Sequence, residues 1–219
     1  MPYTLSEHES KELLREAGIA VPPEHLVATA DEAVRAAGEV GGPVALKLCG
    51  RGIAHKTERN LVRLALSTPD RVRAAGVELL KARRPEDGDA RLLVCPMVPG
   101  RRELIAGLVR DPTFGPCVML GLGGVFAEAA GDVAFAVAPL RDGDAEELID
   151  ALASAKFLGP FRGEPAVDRD ALVRVLETLG RLGGERPEIR SIDVNPLIVA
   201  GSAPIVVDAL VEIEGGTSS

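Results

Sequence analysis

Three oxygen-bearing side chains close to the C-terminus are the first candidates for chemistry. Asp193 and Asn195 stand two apart in the apolar run SIDVNPLIV (191–199), and Asp208 stands in the next apolar run, IVVDALV (205–211). Both runs read as strands, and the short AGSAP linker between them predicts a hairpin. Alternation along a strand puts Asp193 and Asn195 on one face. The expectation is that they meet Asp208 inside an otherwise apolar hairpin. Buried carboxylates need partners. A hard cation such as Mg2+ takes carboxylate and carbonyl oxygens, and bonding to one another or to nearby backbone is the alternative. Residue types alone leave both open.

Other residues carry charge or reactivity into apolar surroundings. PVALKLC (43–49) is a strand with one charge in its middle, Lys47. A lysine there must snorkel out or meet an anion, and either a phosphate or an Asp/Glu partner would serve. The polar segment RGIAHKTERN (51–60) holds His55 beside Lys56. A neutral imidazole is nucleophilic near pH 7, while an ordinary solvated loop histidine is the plain alternative. Leu92 to Val98 is an apolar strand containing Cys95, Met97 and Val98, broken by Pro96. Proline in a strand implies an edge or a bulge, where unpaired backbone groups could meet a planar base. Gly121, Gly123 and Gly124 let backbone N–H groups approach an anion. The string lacks the ending of a phosphate-binding Walker A loop and is not a full GxGxxG, so a plain hairpin turn is the favoured reading of it. Arg162 lies in a Gly/Pro-rich loop at 157–165.

The elements that must hold these residues are marked by their ends. Ser6 and Glu9 form a capping box that opens a helix ending at Gly18, and Thr29 and Glu32 open a second that ends at Gly41-Gly42. Thr68-Pro69 starts a third. Further helices are predicted over about 142–155 and 168–182, and further strands over 61–67, 103–109, 117–120, 125–129 and 133–139. Pro99-Gly100 is the predicted hinge, dividing the chain into lobes at 1–98 and 99–219. Hydrophobic residues make up 46% of the 219 and charged residues 26%, as in an ordinary globular protein. The formal net charge of −8 supplies no general attraction to nucleic acid or anionic membrane. Three cysteines, each in an apolar run, read as buried thiols rather than disulfides. No signal peptide or membrane-spanning run is evident, so the expected location is cytoplasmic.

Taken together, these strings resemble the ATP-grasp domain of ADP-forming acyl-CoA synthetases, close to the separate β subunit of acetate–CoA ligase and more distantly the succinyl-CoA synthetase β subunit. The resemblance runs through LSEHESKELLREAGIAVP, EAVRAAGEVGGPVALKL, IAHKTE, VCPMVPGRRELIAGLVRDPTFGPCVMLGLGG, FLGPFRGEP and SIDVNPLIV. It implies a two-lobed α+β fold with mainly antiparallel sheets that clasps ATP or ADP. It further implies that Lys47 meets the nucleotide phosphates, that the segment with Cys95, Met97 and Val98 reads adenine through its backbone, and that Glu103 is the acidic residue following it. Asn195 and Asp208 match the Mg2+ ligands, Asp193 the carboxylate that meets a phosphohistidine, and Arg162 the family's Arg-Gly loop.

His55 in HKTE matches the histidine that carries a phosphoryl group between the nucleotide and a CoA-binding partner. No GxGxxG opens a βαβ unit here, so the resemblance implies a separate CoA-binding α subunit, in an α2β2 assembly. The overall reaction would convert acid, CoA and ATP to acyl-CoA, ADP and phosphate. The family continues past its histidine as Ser-Asp-x-Gly-Gly-Val, whereas this chain has Thr57-Glu58-Arg59-Asn60-Leu61-Val62. Asn tolerates a positive φ and Leu does so poorly. That departure keeps a non-catalytic ATP-binding regulatory module open as an alternative, along with an ATP-grasp ligase acting on another acceptor.

Overall fold

A computed structural model describes residues 2–53, 56–124 and 131–215. The chain divides into two compact units, one comprising Thr4–Glu9 and Pro22–Met97, the other Met1–Tyr3, Ser10–Val21 and Val98–Ser219. In chain order the elements are β1 (Tyr3–Thr4), α1 (Glu7–Glu16), β2 (His25–Val27), α2 (Ala30–Val40), β3 (Val44–Cys49), β4 (Val62–Leu66), α3 (Pro69–Lys81), β5 (Arg91–Pro96), β6 (Arg102–Asp111), β7 (Gly115–Leu122) and β8 (Val133–Val137). They continue with α4 (Asp144–Asp150), α5 (Arg169–Glu185), β9 (Ile189–Ala200), β10 (Ala203–Val206) and β11 (Ala209–Ile213). The α+β fold with antiparallel sheets is as the sequence implies.

The first unit is a four-stranded antiparallel sheet in the order β2-β5-β3-β4. Helices α2 and α3 pack on it over a core that includes Leu46, Leu48, Leu61, Leu79, Leu92 and Val94. The predicted caps are present. Ser6 Oγ accepts from the Glu9 N–H at 3.3 Å while Glu9 accepts from the Ser6 N–H at 2.9 Å. Thr29 and Glu32 form the second capping box, and Gly41 closes α2 at φ 75°. One expectation is corrected. The strand with Pro96 is neither an edge nor bulged, for β5 runs between β2 and β3. Proline is tolerated because it is the last residue of β5, beyond the reach of β2, whose pairing stops at Val94.

The second unit is a seven-stranded sheet in the order β1-β11-β9-β6-β7-β8, with β10 also paired to β9. Helix α5, capped by Asp168, covers one face. A Cβ on Gly183 would come within 2.8 Å of Leu108, so the helix lies tightly on β6. On β9 Ile192, Val194, Leu197 and Val199 are buried, the alternation slipping by one residue between Val194 and Leu197 where the pairing with β6 shifts register, and Asp193 and Asn195 are exposed. The expected burial of these two inside an apolar hairpin is therefore wrong: they sit on the open side of the sheet. The predicted second strand of the hairpin is also interrupted, as β10 ends at Val206 and β11 starts at Ala209. Helix α4 is shorter than predicted, and a 3-10 turn at Ala155–Leu158 takes up its far end. The predicted strand at 125–129 lies outside the described residues. No helix among the described residues is long and apolar enough to cross a membrane.

Candidate functional site

The corner where β9 passes the break between β10 and β11 gathers the three oxygen donors. The Asn195 N–H donates to the Asp208 carbonyl at 3.2 Å, and the Val207 N–H donates to the Pro196 carbonyl at 3.1 Å. Asp208 is thus held by its neighbours' backbone bonds outside a regular strand, a site where a side chain can be re-aimed. Asp193 faces Gly107 of β6 and Leu210 of β11. Its carboxyl is pushed up, first by partial desolvation and then by the negative charge of Asp208. Two residues of α1 fix the same corner. Ser10 Oγ accepts from the Val211 N–H at 3.1 Å, and the buried Lys11 reaches the Val207 carbonyl at 3.4 Å.

Mg2+ is implied here, and the donor set suits it. Two carboxylates and an amide oxygen are hard ligands, and Mg2+ ordinarily binds one or two carboxylates together with substrate phosphates. Among the described residues no group of three or more His, Cys, Asp or Glu that could hold a metal ion occurs. A site completed by phosphate oxygens fits better.

Glu103 stands half-buried on β6, and its carbonyl accepts from the Gly123 N–H at 2.7 Å. Gly123 therefore lies against the Glu103 backbone, where a Cβ on it would come within 3.1 Å, and a Cβ on Gly124 would lie 3.7 Å from Glu103 Oε2. Arg162 is exposed, takes a left-handed φ of 48° and stacks 5.3 Å from the centre of the Phe161 ring. Its loop is fastened by Arg102, which pairs with Glu164 at 3.1 Å. Arg102 also donates to the carbonyls of Phe157, Gly159, Pro165 and Gly201.

In the other unit, Lys47 is buried on β3 and its anionic partner is a carboxylate: Nζ lies 2.5 Å from Glu7 Oε1. Lys56 Nζ lies 2.7 Å from the other oxygen of Glu7, Oε2, an ion pair that lacks hydrogen-bond geometry. Cys95 Sγ donates to Glu24 Oε2 at 3.5 Å, and Glu24 Oε1 in turn lies 2.8 Å from His8 Nδ1. Met97 is exposed, with its N–H on the Pro43 carbonyl at 3.1 Å, and Val98 is half-buried. His55 lies outside the described residues. The stretch after it is anchored. Arg59 makes a two-pronged bond to the buried Asp87 at 2.6 and 2.8 Å, Asn60 takes φ 55°, and Leu61 is 1% exposed in the core. The Arg59 guanidinium, then the Arg84 N–H, hold the Asp87 carboxyl below the usual range. All three cysteines are buried and none is in a disulfide.

Glu7, Lys11 and Arg102 escaped the sequence reading, and Lys56 entered it only as the neighbour of His55. Glu7 stands in the first turn of α1, where an acidic residue is explained by the helix dipole alone. A run of two arginines before a strand gives no sign that the second turns inward.

Comparison with known proteins adds relatives to this geometry. The profile of a family described as an ATP-grasp domain matches residues 2–213. The β subunit of ADP-forming acetate–CoA ligase I from Pyrococcus furiosus is 38% identical, across 94% of this chain and 90% of that subunit. ADP-forming acetate–CoA ligase I from Archaeoglobus fulgidus is 36% identical across 91% of this chain, which spans 30% of that protein. Among solved structures, an acetyl-coenzyme A synthetase 1 of Ca. Korarchaeum cryptofilum superposes with a TM-score of 0.83, at 40% identity over 96% of this chain and 93% of that one. It was solved with coenzyme A and Mg-AMPPCP, its phosphohistidine segment pointing towards the nucleotide binding site.

Proposed function

This chain belongs to the ATP-grasp family, and from that premise we propose that it is the nucleotide-binding subunit of an ADP-forming acid–CoA ligase. Its two lobes are the two compact units, divided near residue 98, with residues 10–21 belonging to the C-terminal one rather than to a lobe running unbroken over 1–98. Lys47 and Arg162 offer positive charge to the phosphates, the 95–98 segment and Glu103 take the nucleoside, and Asn195 with Asp208 hold Mg2+. When bound, the ion neutralises phosphate charge and fixes the phosphate oxygens. Phosphoryl transfer needs that neutralisation and in-line positioning more than covalent help. A ring nitrogen of His55 attacks the terminal phosphorus of ATP, the bond to the bridging oxygen breaks, and ADP leaves. Asp193 steadies the imidazolium that carries the phosphoryl group to the partner. There the acid becomes an acyl phosphate and then acyl-CoA, with release of phosphate.

The oxygen-donor corner of Asp193, Asn195 and Asp208 carries this reading, because it joins two carboxylates and an amide on backbone-bonded strands without enclosing them. The Archaeoglobus relative supports a CoA-binding partner, since about two thirds of its length lies beyond the match. An α2β2 assembly in the cytoplasm completes the proposal. The test mixes the chain with its CoA-binding subunit, acetate, CoA and MgATP and measures acyl-CoA. His55→Ala abolishes turnover by more than about 10³-fold and leaves MgATP affinity intact. Unchanged turnover refutes the relay. Retained MgATP binding with no acid-labile label on the wild-type chain assigns it instead to binding without catalysis.

A further inference from the structure

We propose that Glu7 is a positioning residue for phosphoryl transfer, a buried carboxylate that holds the ammonium groups of Lys47 and Lys56 in register; this rests on the reading of Lys47 as a phosphate contact. Its two oxygens are divided between two lysines, Oε1 to Lys47 at 2.5 Å and Oε2 to Lys56 at 2.7 Å. The side chains of Glu7, Lys47 and Lys56 are 1%, 5% and 10% exposed. Three charges are therefore withdrawn from water at one point.

Stability alone accounts poorly for such a cluster. Desolvating ions offsets most of their attraction, and well-packed apolar groups serve a core as well or better. What the cluster supplies is location. Glu7 is the first residue of α1, held by the Ser6–Glu9 cap. Lys47 projects from the middle of β3, and Lys56 is the residue after His55. The carboxylate thus ties a strand residue to the chain one peptide bond from the relay histidine. Leu61 and the Arg59–Asp87 pair fasten the other end of that segment. The field of Glu7 reaches Cys49, two residues along β3, whose thiol is pushed up by burial and, less, by that charge.

The roles of anchor and phosphate ligand separate in a kinetic experiment. Glu7→Gln keeps the shape and removes the negative charge. The two ammonium groups then repel and lose their register, while attraction for the phosphates is undiminished. The expected result is a kcat about 10- to 100-fold lower with MgATP affinity, read by calorimetry, equal to wild type or tighter. Glu7→Asp, which keeps the charge with a shorter reach, recovers part of that kcat. Should Glu7→Gln not fold, Lys56→Met tests the same claim from the cluster's most exposed member, and its expected outcome is lowered kcat at unchanged MgATP affinity and melting temperature. Wild-type kcat in Glu7→Gln or Lys56→Met overturns the proposal, and so does MgATP affinity that weakens in step with kcat. Lys47→Ala is the control for the underlying reading. If it leaves MgATP affinity unaltered, the phosphate role of Lys47 falls; if it weakens binding while the other variants turn over normally, only the positioning role of Glu7 falls.

Discussion

At Asn60 the backbone turns through φ 55°, and the following Leu61 drops into the core with 1% of its surface exposed. The motif that the sequence resembles usually has two glycines here, and the chain treats the two residues in their place differently. Asn is among the few non-glycine residues that accept the left-handed region without much cost. Leu61 does not take that region, and its N–H bonds the Lys56 carbonyl at 2.8 Å to close the turn. Of the two replacements, one keeps a left-handed turn and the other adds core. Restoring the glycines one at a time separates these effects. Asn60→Gly is expected to change unfolding free energy by less than about 1 kcal/mol. Leu61→Gly is expected to cost about 3 kcal/mol or more, since a buried leucine is lost and backbone freedom gained. Urea midpoints of the two variants check this; a costlier Asn60→Gly would show that the turn, not the core, carries the segment.

Strand and helix positions followed from local signals, but the fastenings between elements did not. Caps at Ser6, Thr29, Thr68 and Asp168 are local, and each appears where hydroxyl or carboxylate precedes an amphipathic run. The local string around Pro96 carries no sign of its partner strands, and the pairing limit of β2 is what makes the proline harmless. Arg110, on β6, is a fastening of the hidden kind. It donates to the carbonyls of Ile189, Gly183 and Arg186 at 2.6, 2.7 and 2.9 Å, placing a cation at the C-terminus of α5 and the entry to β9. The last carbonyls of a helix have no partners of their own, and positive charge there is favourable. Arg110→Met keeps the apolar stem and removes three charge-assisted bonds, so a loss of about 2 kcal/mol is expected. Hydrogen exchange locates it. Amides near the end of α5 and the start of β9 lose protection, while those of β3 and β5 do not. Uniform loss across both units would contradict a local cap.

On the scale of the molecule, the order of motifs was enough to reach the family. The long-range ion pairs that arm them were not, since nothing in the local string distinguishes Glu7 at a helix start from a carboxylate clamped by two lysines, or Arg102 from its exposed neighbour Arg101. The candidate Mg2+ corner was half legible: its three residues were identified, but alternation alone could not tell which face of β9 was open, or that the strand breaks before Asp208. That openness has a consequence for the whole chain. A net charge of −8 and carboxylates set side by side disfavour binding of a bare polyanion, so nucleotide and cation should stabilise the protein together. At a nucleotide concentration about 100 times its Kd, a ligand confined to the folded state adds about 2.7 kcal/mol. For a chain of this size that raises the melting temperature by about 5–10 °C. ATP with excess chelator should give only a small part of this shift, and Mg2+ without ATP little of it, because the donor set needs phosphate oxygens to complete the ion's shell. Asp208→Ala should abolish the difference between ATP with and without Mg2+. The backbone bond from Asn195 to residue 208 survives that substitution, so the corner keeps its frame while losing a ligand. A Mg2+-dependent shift of full size in Asp208→Ala would remove the carboxylate from the site, and equal shifts with and without chelator would remove the metal.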